Sequence, residues 1–346
     1  MIIDLITLAE KGYLPDQLIR FGIRKLCKER LKMVNSNRSE SFNQNSWINE
    51  LKNSPIAIVP EKANEQHYEV PPMFFQKVLG NHMKYSSGYW DDSTNDIDTS
   101  ELLMLDKTIK GADITDGMKI LELGCGWGSL TFHIAKSFPN SSVLAVSNSK
   151  DQKKFILDKC KKNNISNVEI ITEDMNNFLT DEKFDRVISV EMFEHMRNYH
   201  QLLSKINDFL IDDGKLFVHI FSHKEICYPF IDKGDGDWMA REFFSGGQMP
   251  SHNLLLHFQY HLIIEKMWRI SGKHYSKTSY YWLKNMDKNK TDILEIFSDI
   301  YGEQYAKIWF QRWRIFFMSC EELFGYNNGN EWGISHYLFK KRNLKD

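Results

Sequence analysis

The chain has 346 residues, 42% hydrophobic and 26% charged, with a formal net charge of -2, a globular balance that excludes a disordered or collagen-like polypeptide. The near-neutral charge excludes a whole-chain field for nucleic acid or for an anionic membrane. No run of about 18 uncharged apolar residues exists to span a bilayer, and the length favours one enlarged domain or two modest ones.

The opening stretch MIIDLITLAEKGY carries Asp4 within its apolar run and has neither a basic start nor a small-residue cleavage site. It is not read as a signal peptide. Apolar positions at helical spacing follow: Leu5 and Leu8, then Leu18, Phe21 and Leu26, with Pro15 suited to a first helical turn. The Asn- and Ser-rich stretch 34–54 reads as a mobile linker or loop, and DDSTNDIDTS at 91–100 as a second polar break.

From about 101 to 222 short β-rich runs alternate with helical stretches of about 10–15 residues. The runs are KILEL (119–123), SVLAV (142–146), NVEII (167–171), RVISV (186–190) and GKLFVHIF (214–221). That alternation predicts an α/β fold whose parallel sheet is covered on both faces. The stretch after 222 is mixed, with GDGDWM and SGGQMP read as turns of a lid. A helical run follows near 291–324, and WGISHYLFKKR alternates like a terminal strand. The expected organisation is an N-terminal cap and linker (1–100), an α/β core (101–225), and a lid, helical insertion and terminal strands (226–346). Five cysteines at 27, 125, 160, 227 and 320 form no CxxC pair. They read as reduced thiols of a cytoplasmic protein.

The strand KILEL runs into Gly124-Cys125-Gly126-Trp127-Gly128 and then into an apolar helix. Glycines there allow a sharp turn and a close approach of ligand to backbone. A dinucleotide fingerprint needs a third glycine where Ser129 stands. The pattern present, ExGxGxG over Glu122, Gly124, Gly126 and Gly128, is the form that cradles S-adenosylmethionine. The second strand ends in Ser147-Asn148-Ser149 without an acid, leaving Asn148 and Gln152 as candidate ribose partners. Ser149 and Gln152 equally fit a helix capping box. Asp174, just past the third strand, is placed to accept from the adenine amino group, with Met175 against the ring.

The runs VISVEMFEHM (187–196), HYEVPPMFF, MKYSSGYW, AVSNSKDQ and LFVHIFSHK, with the C-terminal LFGYNNGNEWGISHYLFKK, resemble the family of coclaurine N-methyltransferase and the cyclopropane fatty acid synthases. The resemblance covers the chain from about residue 60 to the end. It implies a Rossmann-like class I methyltransferase core with an N-terminal helical cap and a C-terminal helical lid. It places the catalytic segment on Glu191, Glu194 and His195, and a substrate-side pair on Tyr68 and Glu69. It sets Ser86 and Ser87 toward the cofactor carboxylate, and Trp313 near an aromatic substrate wall. His219 matches a histidine that helps hold bicarbonate in the cyclopropane synthases, but Ser87 stands where those enzymes usually carry Cys.

Glu191, Glu194 and His195 are three and four residues apart, so a helix opening at 191 would point all three one way. The bland reading of that spacing is a solvated first helical turn. As a site, it suits methyl transfer to a neutral amine, with His195 and Glu191 as base and orienter and Glu194 as electrostatic support. The leading expectation is therefore a methyltransferase acting on the nitrogen of a small amine with an apolar or aromatic body. The alternatives are methyl or methylene transfer to unsaturated acyl chains at a membrane surface, and a catalytically silent module that binds cofactor. No metal site and no nucleic-acid partner is expected; a homodimer is left open.

Overall fold

The computed structural model describes residues 5–36, 44–58, 70–232 and 234–342. The chain opens with α1 (Leu5–Glu10), α2 (Asp16–Ser36), α3 (Gln44–Asn53), α4 (Pro72–Val78) and α5 (Ile97–Gly111). The core then runs β1 (Lys119–Leu123), α6 (Ser129–Ser137), β2 (Ser142–Ser147), α7 (Lys150–Lys162), β3 (Val168–Thr172), β4 (Phe184–Val190), α8 (Tyr199–Phe209) and β5 (Leu210–His223). The C-terminal part comprises β6 (Tyr228–Pro229), α9 (Trp238–Glu242), β7 (Gln248–Met249), β8 (Leu262–Ser271), α10 (Gly272–Lys288), α11 (Lys290–Tyr301), α12 (Glu303–Gly325) and β9 (Trp332–Lys341).

Seven strands form one sheet in the order β3-β2-β1-β4-β5-β9-β8. The first five are parallel, and β9 inserts antiparallel between β5 and β8. Strands β1, β2 and β4 are buried over most of their length, as a parallel sheet with helices on both faces requires. Helix α8 shows how such a cover forms. Tyr199, Leu202, Leu203, Ile206 and Phe209 make one buried stripe, and Asn198 caps the helix by accepting from the Gln201 amide at 3.0 Å.

The strand runs read in the sequence all fall on strands, and the terminal run is β9. Four features differ from expectation. Strand β8 was not legible, because LIIEKMWRIS has charges on both faces and pairs on one side only, so no clean alternation arises. The stretch 34–54 is not all linker: α2 runs to Ser36, and α3 buries Trp47, Ile48 and Leu51 behind polar neighbours. The break at 91–100 ends in a helix, with Asp96 capping α5 by accepting from the Thr99 amide at 2.8 Å. Finally, Leu18, Phe21 and Leu26 point outward at 57%, 64% and 45% exposure. The inward face of α2 carries Ile19 and Cys27, and the Arg20 guanidinium pairs with Glu321 and Glu322 of α12 at 2.7 and 2.9 Å.

Helices α1 and α2 therefore rest on α12. Arg312 reaches Glu10 at 3.0 Å and Arg314 reaches Asp16 at 2.7 Å, so ion pairs tie the N-terminal helices to α12. Among the described residues, no helix is long and apolar enough to cross a membrane. All five cysteines are free and buried.

Candidate active site

The ends of β1, β2 and β4 open into a cavity of about 1250 Å³, counted with the open solvent at its mouth. The glycine loop forms its floor. The Gly124 and Cys125 amides both donate to the Val146 carbonyl at 3.0 Å, tying the loop to the end of β2. Gly126 has φ +52°, and a Cβ placed on it would meet nothing within 4 Å, so a bare peptide faces open space there. Gly128 has φ +77°, and a Cβ on it would meet Ile156 and Phe132 at 2.9 Å; α6 starts there because only glycine fits.

The walls are polar where a nucleoside and an amino acid would need partners. Glu122, Gly124, Gly126, Asn148, Gln152, Asp174 and Met175 all line the cavity, with Ser86 opposite. Gln152 takes the Ser147 hydroxyl on its amide oxygen at 2.6 Å and leaves its buried amide nitrogen unpartnered. Ser149 does cap α7, accepting from the Gln152 amide. Capping and cavity lining thus coexist, since one uses the backbone of Gln152 and the other its side chain. The buried Ser129 hydroxyl, in the same wall, also lacks a partner. Idle buried donors beside a bare peptide loop fit S-adenosylmethionine, whose polar atoms would supply the acceptors they lack. Glu122 accepts from Thr131 at 2.5 Å, and burial pushes its carboxyl up to about 7.

Past β4 the chain does not open a helix. Glu191 adopts φ 51°, its amide donating to the His219 carbonyl at 2.8 Å, and only Phe193–His195 forms a short 3₁₀ turn. A left-handed glutamate costs about 1–2 kcal/mol. That kink separates the three residues that helical spacing would have aligned. Glu191 and His195 line the cavity, whereas Glu194 turns away and accepts from the Phe221 amide of β5 at 2.8 Å. The expected common face is corrected accordingly: two of the three meet, and Glu194 braces the sheet.

Glu191 is held by three donors. The Tyr275 hydroxyl donates to Oε2 at 2.6 Å, the Ser87 amide to Oε1 at 3.2 Å, and His219 Nε2 lies 3.2 Å from Oε1. Behind it, His336 Nε2 lies 2.9 Å from His219 Nδ1. Burial drives both histidines well below their usual range. Neutral rings in that order place an Nε2–H of His336 on His219 and an Nε2–H of His219 on Glu191. Burial raises the Glu191 carboxyl, opposed first by the Lys84 ammonium. Glu194 is raised further, by burial and then by the charge of Glu191. Burial pushes His195 down to about 4 and Lys84 down to about 8.

Not every residue singled out in the sequence reaches the cavity. Ser87 lies behind the wall, its hydroxyl donating to the Gly88 carbonyl at 2.9 Å and its amide serving Glu191. His219 acts through Glu191. Trp313 is fully buried among Phe74, Phe75, Phe243, Phe316 and Phe317 and is absent from the cavity wall. Tyr68 and Glu69 lie outside the described residues. Four contributors went unread: Lys84, which donates to Ser86 Oγ and to the Ser87 carbonyl, and Ser129, Tyr275 and His336. Lys84 stands inside the MKYSSGYW run and could have been found there. His336 stands inside the C-terminal run WGISHYLFKK, whereas Tyr275 carries no local signal.

A sheet in this order, with a glycine-loop cavity at the parallel strand ends, is the architecture of a Rossmann-like S-adenosylmethionine-dependent methyltransferase. Residues 58–332 match the model of the mycolic acid cyclopropane synthetase family, and the chain belongs to that family. It is 38% identical to (S)-coclaurine N-methyltransferase of Papaver somniferum over 98% of both chains. It is 35% identical to pavine N-methyltransferase of Thalictrum flavum subsp. glaucum, over 99% of this chain and 97% of that one. Cyclopropane-fatty-acyl-phospholipid synthase of Escherichia coli K12 is 26% identical over 70% of this chain and 60% of its own. Among solved structures, coclaurine N-methyltransferase bound to N-methylheliamine and S-adenosylhomocysteine superposes with a TM-score of 0.92 at 35% identity, covering 97% of this chain and 99% of that one. The chain is an S-adenosylmethionine-dependent methyltransferase.

Proposed function

We propose that the enzyme transfers a methyl group to the nitrogen of a small amine with an apolar or aromatic body, an alkaloid-type acceptor like those named for its full-length relatives. The observation that carries this is Glu191, a buried carboxylate in the cavity wall beside an uncharged His195.

When bound, S-adenosylmethionine supplies an electrophilic methyl carbon on a sulfonium. The loop at Gly124 and Gly126, with Gln152, Asp174 and Met175, would hold its nucleoside and methionine portions, while Gly128 serves the start of α6. Everything else concerns the acceptor. An alkyl amine titrates two or three units above neutral, so freeing its lone pair costs roughly 3–4 kcal/mol. His195 lines the cavity as the candidate proton acceptor, and burial, which pushes it down to about 4, keeps its ring neutral at physiological pH but only weakly basic. Glu191 keeps a negative charge beside the nitrogen as it becomes a quaternary or tertiary ammonium. Three donors fix that charge in place, so little reorganisation is needed. Glu194 contributes by holding the end of β5. The Met192 and Met196 side chains give the acceptor apolar contact in the cavity. The reduced thiols support a cytoplasmic location.

Transfer to unsaturated acyl chains is the reading this one displaces. Ser87 in place of the usual Cys, and the full-length likeness to amine methyltransferases, both favour nitrogen. The test is to supply methyl-labelled S-adenosylmethionine with an amine panel and, separately, with unsaturated phospholipid vesicles. Label on amine nitrogen is expected; label in lipid alone overturns the proposal.

A further inference from the structure

Arg197 follows His195 by two residues and is 4% exposed. Its Nη2 donates to the Gly246 and Gly247 carbonyls at 2.8 and 3.0 Å, and its guanidinium carbon lies 4.8 Å from the centre of the Trp47 ring. Its Nε and Nη1 are buried and have no acceptor. A buried guanidinium with idle donors has lost its hydration without replacement, a costly state for a charged group.

Arg197 lines a cleft together with Trp47, Glu50, Phe230 and Asp232. Two acids stand there. Asp232 is engaged by Arg241 at 3.1 Å. Glu50 is exposed and makes no ion pair with Arg197 among the described residues. Ser245 and Gly246 belong to the walls of both this cleft and the cofactor cavity, so only a thin partition divides them. Two residues of chain span at most about 7 Å, which puts Arg197 within a small molecule's length of His195.

We propose that Arg197, backed by Trp47, forms a subsite for an anionic oxygen group of the carboxylate class, in the cleft that adjoins the acceptor cavity at Ser245 and Gly246. Two sources supply such a group: a tail on the acceptor amine, or a free small carboxylate bound beside it. The first rests on the N-methylation reading; the second does not. A zwitterionic acceptor would set its amine toward Glu191 and its carboxylate on Arg197, the two charges of the protein matching the two of the ligand.

The test titrates benzoate into the full-length protein saturated with S-adenosylhomocysteine, by calorimetry. Saturable binding is expected while the cofactor product is in place. Arg197→Gln should weaken it at least about tenfold. Glu50→Gln, on an exposed helix face where folding is not at issue, should tighten it about threefold by removing a nearby negative charge. A second arm compares methyl transfer to benzylamine and to 4-(aminomethyl)benzoate. If the acceptor brings the carboxylate, wild type prefers the carboxylated amine about tenfold in kcat/KM and Arg197→Gln erases the preference. Benzoate binding that depends on Arg197 without that preference assigns the subsite to a free carboxylate. Absence of saturable benzoate binding, or binding indifferent to both substitutions, overturns the proposal. Label on neither amine leaves the benzoate titration to decide the subsite, and the amine panel with phospholipid vesicles to decide N-methylation.

Discussion

The Tyr275 hydroxyl donates to Glu191 Oε2 at 2.6 Å across 84 residues of sequence. Its ring is clamped face to face on Phe324, with centroids 4.2 Å apart and planes 9° from parallel. Helix α10 thus reaches from the C-terminal part into the core and fixes the charge at the reacting end of the cavity.

Because a hydrogen bond to the ionised form lowers a carboxyl pKa, Tyr275→Phe should raise that of Glu191 above its already raised position. Transfer needs the ionised form, so activity is lost as pH falls through this pKa. The acidic limb of the kcat profile should therefore move to higher pH, with kcat at neutrality down about tenfold. A profile superimposable on wild type would show that Tyr275 does not tune Glu191.

Gly126→Ala adds a methyl group where the protein itself offers no obstacle. The substitution costs about 1 kcal/mol in backbone strain at positive φ. Its main effect should be on the cofactor, whose approach to the bare peptide is blocked. Calorimetry with S-adenosylhomocysteine should show affinity down by tenfold or more, with a melting temperature lowered only slightly. Unchanged affinity would mean that the loop lies away from the ligand.

Glu122 is pushed up to about 7 by burial, from an ordinary 4.5. Its native pKa exceeds the unfolded one, so the native state binds more protons between those values and stability falls as pH rises through that window. The full contribution is about 3 kcal/mol. Glu122→Gln should flatten the cofactor-free stability curve between about pH 4.5 and 7. Glu101, also raised to about 7 by burial, keeps its own share of the slope. An unaltered slope in the variant would contradict the assignment.

Glu194 separates bracing from chemistry. Glu194→Gln keeps an acceptor for the Phe221 amide and should change stability little. Glu194→Ala strands that buried amide and should cost roughly 1–3 kcal/mol, read by denaturant unfolding. Equal stability of the two variants would remove the bracing role.

Much of this was legible before any coordinates. The glycine loop announces itself because strand, turn and helix are consecutive in sequence, and Glu122 and Gly126 follow from that local geometry. The five parallel strands are legible as short β-rich runs spaced by helical stretches, and the inner ones, β1, β2 and β4, are buried over most of their length. Other features are hidden for physical reasons. Trp47 is masked by polar neighbours that face solvent, and β8 by its place at the sheet edge. The kink at Glu191 overrides helical spacing because the amide of that residue is captured by β5. Tyr275 and His336 reach Glu191 only after the chain has folded back, a juxtaposition that no local pattern encodes. Trp313 shows the converse, since an aromatic at helical spacing proved to be core.

Replacement of Glu191 by Gln probes the catalytic site most directly, because it removes the charge while preserving shape and, with the amide oxygen at the Oε1 position, the contacts with the Ser87 amide and His219. Single-turnover rates with an accepted amine should fall roughly 100-fold or more, with the S-adenosylhomocysteine Kd within about twofold of wild type, since none of the cofactor-loop residues is altered. A variant that turns over at the wild-type rate, or that loses rate only in step with cofactor affinity, would contradict a role for Glu191 in stabilising the methylated nitrogen.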